Sequence, residues 1–346
     1  MLRAALCTYA AASITLTLAG CQDAARPVSA TPTTSSTVRE SSMLREGDES
    51  APLVRHLVAP RATDPAIDVF LADNYVWLDS TARGNPKLLV FMPGTRNVPA
   101  GWVALEKVAA RLGYHVIGLS YWNDVGVDVA CKDSPDRDCS VNLRLEIIDG
   151  IDRSSLVNVT PANSIDNRLT RLLVYLDAQY PDEGWSRFLE DGQPKWSQIA
   201  VSGQSQGAGQ AALIGKLRHV DRVVMFSGPT DARVPDETDA WISIGATPAV
   251  KYFGLVHKRD PFVGILPNLL ALDMGRFGAP VVPELSEPPY GGTHILVTDL
   301  LPATGTYLGA DGRESHRSTA RDGFTPLDAN GTPLLRDAWR YLLGAH

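Results

Sequence analysis

The chain of 346 residues lacks any run of about 20 consecutive apolar residues, so no segment reads as a membrane-spanning helix. It also lacks tracts of lysine and arginine. Its 32 basic residues face 39 acidic ones, a formal charge of −7, which argues against a nucleic-acid partner. No segment repeats and no second linker interrupts the chain, which favours one folded unit. Cysteine is scarce, at four. Cys131 and Cys139 belong to no Cys-x-x-Cys pair and have no neighbouring histidine, so a metal site there is the poorer reading. The aspartates between them match no EF-hand spacing and read as a solvated turn. No metal or cofactor is expected. Histidine is also rare, at seven, and the search for a catalytic base is correspondingly short.

What is present begins at the N-terminus. Met1-Leu2-Arg3, an apolar run through Leu18, and the small residues before Cys21 have the layout of a secretory signal. The string Leu18-Ala19-Gly20-Cys21 resembles the bacterial lipobox, which implies cleavage before Cys21 and acylation of that cysteine. A plain signal followed by a free cysteine is the alternative. Residues 22 to about 50 are rich in Ala, Pro, Ser and Thr and cannot bury enough apolar surface to fold, so they read as a tether. The expected plan is a leader over 1–20, a lipidated tether over 21–54 and one domain over 55–346. The protein would then sit in the cell envelope, held to the membrane by lipid and facing the periplasm or the exterior. Loss of the leader removes Arg3 alone among charged residues, leaving 31 bases against 39 acids. In an oxidising compartment Cys131 and Cys139 are expected to form a disulfide.

From about residue 55 onward, strand and helix patterns alternate. Residues 87–92 form a near-continuous apolar run, Lys87 apart, as suits a strand buried on both faces of a parallel sheet. Further strands are expected at 115–121, 197–202, 222–226, 252–256 and, briefly, 280–282. Helices are expected at 102–112, 165–180, 208–218 and 334–343. This alternation predicts a parallel or mostly parallel sheet covered by helices. The stretch 122–163 is too long for a plain connection, and it reads as a disulfide-stapled insertion folded over the strand ends.

Gly203-Gln204-Ser205-Gln206-Gly207 falls where the strand at 197–202 hands over to the next helix. A turn this tight strains the serine backbone and brings neighbouring chains close, hence glycine two places to either side. It would lift the Ser205 hydroxyl above the sheet and offer the Gln206 N–H as one oxyanion donor. The competing reading makes Ser205 a helix N-cap.

Strand, G-x-S-x-G, helix, then an acid and a histidine in that order resembles the α/β-hydrolase superfamily. The resemblance covers nearly all of residues 55–346. It implies a central sheet of about eight strands with helices on both faces and the site at the strands' carboxyl ends. It also implies a triad. Asp260, just past the strand at 252–256, stands where the superfamily places its carboxylate, with Asp231 as runner-up; as Asp before Pro261 it could equally cap a helix. His294, in Gly-Gly-Thr-His, is similar to the histidine loop of some secreted polyester and lipid hydrolases and is the preferred base, with His316 as the alternate. By the same resemblance Thr95, in the turn after the strand at 87–92, supplies the second oxyanion donor, although Arg96 is adjacent. Tyr121 and Trp122 are candidates to line the substrate pocket; ordinary packing is the alternative.

These residues point to a serine hydrolase acting on a small-molecule or polymer carboxylic ester through an acyl-enzyme. Peptidase or amidase chemistry on the same triad is the runner-up. A catalytically silent envelope binding protein of this fold is the alternative from another class.

Overall fold

The computed structural model describes residues 46–83, 85–231 and 239–345. The expected leader, Cys21 and most of the expected tether lie outside the described residues. Residues 46–54, assigned to the tether by sequence, are bonded into the domain: the Gly47 N–H donates to the Arg111 carbonyl at 2.8 Å, and the first strand begins at Val54.

The strands are β1 (Val54–Val58), β2 (Asn74–Leu78), β3 (Leu88–Met92), β4 (His115–Gly118), β5 (Leu189–Glu190), β6 (Gln193–Pro194), β7 (Ile199–Gln204), β8 (Arg222–Phe226), β9 (Tyr252–His257) and β10 (Ile295–Thr298). The helices are α1 (Pro60–Thr63), α2 (Val103–Arg111), α3 (Val127–Ala130), α4 (Cys139–Asp149), α5 (Ile165–Gln179), α6 (Gln206–Leu217), α7 (Ile265–Ala271), α8 (Glu314–Arg317) and α9 (Arg336–Leu342). Eight strands form one sheet in the order β1-β2-β4-β3-β7-β8-β9-β10. In this sheet β1 and β2 pair antiparallel, as do β2 and β4, and every pairing along the order from β4 to β10 is parallel; β5 and β6 form a separate antiparallel pair.

Alternation along the central strands sends side chains to two cores. Leu88, Val90 and Met92 of β3 join Val201 of β7 and Met225 of β8 beneath α4, α5 and α6, around Leu143, Leu172 and Leu213. Leu89 and Phe91 face the other way, onto Leu105 and Ala109 of α2 and Trp339 of α9. Helices therefore cover both faces, and each such fully buried side chain contributes about 1.5–3 kcal/mol. That double burial is why the central strands carry continuous apolar runs.

Several elements differ from expectation. β1 and β2 were not anticipated. The strand expected at 280–282 is a single bridge, Val281 to Leu296, on the flank of β10. The last strand of the sheet is β10 itself, and it begins one residue after His294. Cys131 and Cys139 are joined by a disulfide, within an insertion that carries α3 and α4.

Candidate functional site

Ser205 follows β7 directly and precedes α6, with φ 58° and ψ −117°. Such a backbone costs a non-glycine residue about 1–3 kcal/mol. Both flanking glycines are sterically required. A Cβ on Gly207 would stand 1.9 Å from the Met92 carbonyl oxygen, and one on Gly203 would stand 2.4 Å from the Gly207 backbone. Ser205 occupies the N-cap position of α6, but its side chain makes no capping hydrogen bond. The helix-cap reading therefore does not account for the hydroxyl.

Asp260 lies three residues past the end of β9, so it stands at the same, carboxyl, edge of the parallel sheet as Ser205. Its Oδ1 accepts the Phe262 N–H at 3.0 Å, which orients the carboxylate. Oδ2 meets His316 Nδ1 at 2.8 Å, with both side chains about 95% buried. His316 sits in the short α8. Nε2, its second ring nitrogen, is buried without a hydrogen-bond partner. Ser205 and His316 line one cavity of about 80 Å³, together with Gly94, Thr95, Asp128, Phe262 and Arg321. A hydroxyl on a strained corner and an imidazole with one nitrogen held by a carboxylate thus face a common space. That is the equipment for activating an oxygen nucleophile.

The structure does not bring His294 to this cavity. β10 runs parallel to β9, so a residue just before β10 stands at the amino edge of the sheet, opposite Ser205. There the His294 ring is stacked between Phe253 and Phe277, with centroids 4.1 and 3.9 Å away, and its Nδ1 meets the Tyr252 carbonyl at 2.8 Å. Burial, with help from the Arg222 charge, pushes its pKa down to about 4. Its position is that of a neutral core histidine. Asp231 is likewise occupied elsewhere. It forms a fully buried, two-pronged ion pair with Arg144, in which Arg144 Nε reaches Oδ2 at 2.6 Å.

The turn after β3 is held by residues that the sequence did not flag. Asn123 Nδ2 donates to the Gly94 and Asn97 carbonyls, both at 2.9 Å, and the Asn123 carbonyl takes the Arg96 N–H at 2.8 Å. Arg96 is thereby spent, which leaves Thr95, a residue of the cavity wall. Gln206 opens α6, where a first-turn N–H has no intrahelical acceptor. Tyr121 does not line the cavity: it is buried, and its hydroxyl donates to the Pro93 carbonyl at 2.7 Å, bracing the same turn. Trp122 packs against Phe70, with centroids 5.8 Å apart. Both are corrections to the pocket assignment.

Two further residues tie the loop of His316 to its neighbours. Gln204 Nε2 donates to the His316 carbonyl at 2.8 Å, and Ser315 Oγ donates to the Arg259 carbonyl at 2.8 Å. Gln204 belongs to the Gly-x-Ser-x-Gly turn but stands at its variable position, so the pattern carried no signal for this role. A separate cleft of about 620 Å³, between Val54, Arg83, His115 and Arg187, opens at the other ends of the central strands and contains none of these groups. In comparisons with known proteins, the chain matches no protein-family model and no curated protein.

Proposed function

We propose that the chain is a serine hydrolase of the α/β-hydrolase superfamily that cleaves carboxylic esters with Ser205, His316 and Asp260. His316 Nε2 takes the Ser205 proton as Oγ attacks the ester carbonyl. The Thr95 and Gln206 N–H groups hold the oxyanion, the alkoxide leaves with the proton from His316, and an acyl-serine remains. Water, deprotonated by the same imidazole, then releases the acid and restores the Ser205 hydroxyl. The observation that carries this reading is His316: its Nδ1 is fixed by Asp260 at 2.8 Å, while Nε2 is buried and unpartnered in the cavity that Ser205 lines.

A fluorophosphonate probe tests it, because only an activated serine displaces the fluoride. Native protein is expected to take up one label per chain, and Ser205→Ala none. Unlabelled native protein, or equal labelling of Ser205→Ala, overturns the reading and leaves the silent binding domain.

The proposal extends to location. A disulfide between Cys131 and Cys139 suits an oxidising compartment, and the string ending in Cys21 suits a lipid anchor. Cys21→Ser, expressed in a bacterial host, is expected to move the protein from the membrane to the soluble fraction. If it stays with the membrane, the anchor lies elsewhere.

A further inference from the structure

One wall of the cavity beside Ser205 is built from arginine. Arg313, Arg317 and Arg321 all line it, at one-turn intervals through and beyond α8. They are not equivalent. Arg317 is already neutralised by Asp311, at 2.9 Å from its first terminal nitrogen and closer from its second, with Glu314 at 3.7 Å. Arg313 is exposed, with its guanidinium 5.2 Å from the Phe262 ring.

Arg321 is half-buried, with its guanidinium 5.0 Å from the Phe324 ring and 5.9 Å from Trp102. Among the described residues it has no carboxylate within ion-pair distance. Burial, together with the nearby Arg317 charge, lowers its pKa, so the charge is held at a cost. A cation held at a cost, packed between aromatic faces and turned to the same cavity as the nucleophile, is a receptor waiting for an anion. Asp128 also lines the cavity, the one carboxylate to do so among the described residues, and burial pushes its pKa up. Asp128 and Asp311 act on Arg313 through space, as Asp311 and Glu314 do on Arg321, but among the described residues neither arginine has a carboxylate within ion-pair distance, so a substrate anion could make the direct contact that no fixed acid makes.

We propose that the ester cleaved at Ser205 carries a carboxylate within a few atoms of the scissile bond, bound by Arg321 with support from Arg313. A carboxylate fits the planar guanidinium fork through two parallel hydrogen bonds. The cavity of about 80 Å³ suits a short fragment and not a long acyl chain. The inference rests on the proposed hydrolase activity of Ser205 and adds the class of its substrate.

Two matched ester pairs test it. Mono-4-nitrophenyl glutarate against 4-nitrophenyl pentanoate places the charge on the acyl side; 4-acetoxybenzoate against phenyl acetate places it on the alcohol side. In one pair, kcat/KM for the charged ester is expected to exceed the neutral one by about tenfold or more. Arg321→Gln should collapse that ratio, Arg321→Lys should restore part of it, and raised salt should weaken it. Neutral esters preferred in both pairs, or a ratio that survives Arg321→Gln, overturns the proposal while leaving Ser205 a hydrolase. A protein that turns over none of the four and takes no fluorophosphonate label loses both readings.

Discussion

His316→Ala is expected to lower kcat for any ester that the native protein cleaves by about ten-thousandfold or more, because removing one member of a triad disables the unit. His294→Ala is expected to leave kcat within about threefold at 25 °C. The reason is positional: His316 shares the carboxyl-edge cavity with Ser205, whereas His294 is sandwiched between Phe253 and Phe277 at the amino edge of the sheet. The cost of His294→Ala should appear in stability instead. Deleting a ring that is 6% exposed and stacked on both faces leaves a cavity, at roughly 2–4 kcal/mol. Initial-rate kinetics and a thermal melt on both variants separate the two effects. A larger kinetic loss at His294 than at His316 would sink the assignment of the base.

The exchange of these two histidines shows where the sequence stops being informative. The elements around Ser205 were legible because each has a local cause. β3 is apolar throughout since both of its faces are covered, and Gly203 and Gly207 stand where any side chain would strike the backbone. The position of the proposed acid was legible for a similar reason, as Asp260 follows the end of β9 within three residues.

The proposed base was not, because the location of a histidine depends on which end of a strand it occupies. Placing the last strand at 280–282 puts His294 after it; the actual β10 starts at Ile295 and puts His294 before it. One misplaced strand of four residues thus moves a side chain to the opposite edge of the sheet. The run Ile295-Leu-Val-Thr298 is apolar and β-branched enough to have been read as a strand, and that signal alone would have favoured His316. Nothing local marks His316 itself: it lies in the four-residue α8, and its role is set by contacts with Gln204 and Asp260, 112 and 56 positions away. Tyr121 illustrates the same limit. A tyrosine at a strand end looks like a pocket wall until its hydroxyl is found on the Pro93 carbonyl.

Breaking the buried pair between Arg144 and Asp231 is expected to damage the protein in two separable ways. Both side chains are fully buried, so Arg144→Met strands a carboxylate, and Asp231→Leu strands a guanidinium. Each is expected to cost about 3–5 kcal/mol. The double variant Arg144→Met/Asp231→Leu should recover much of that loss, since two apolar side chains of similar volume need no partner. Denaturant unfolding of the four proteins gives the coupling energy directly, and a coupling below about 1 kcal/mol would show that the pair does not act as a unit.

Activity should not recover in parallel. Arg144 also donates to the Gln206 carbonyl at 3.1 Å and fills the space that a Cβ on Gly209 would need. It thereby clamps the first turn of α6, whose leading N–H is the proposed oxyanion donor, to α4 of the disulfide-bonded insertion. An oxyanion donor contributes about 3 kcal/mol to the barrier. A loosened one should therefore cost roughly ten- to a hundredfold in kcat, with KM less affected, in the double variant as well as in the singles. Rates measured well below every melting temperature decide the point. If the double variant regains stability and full kcat together, Arg144 holds the fold but does not position the site.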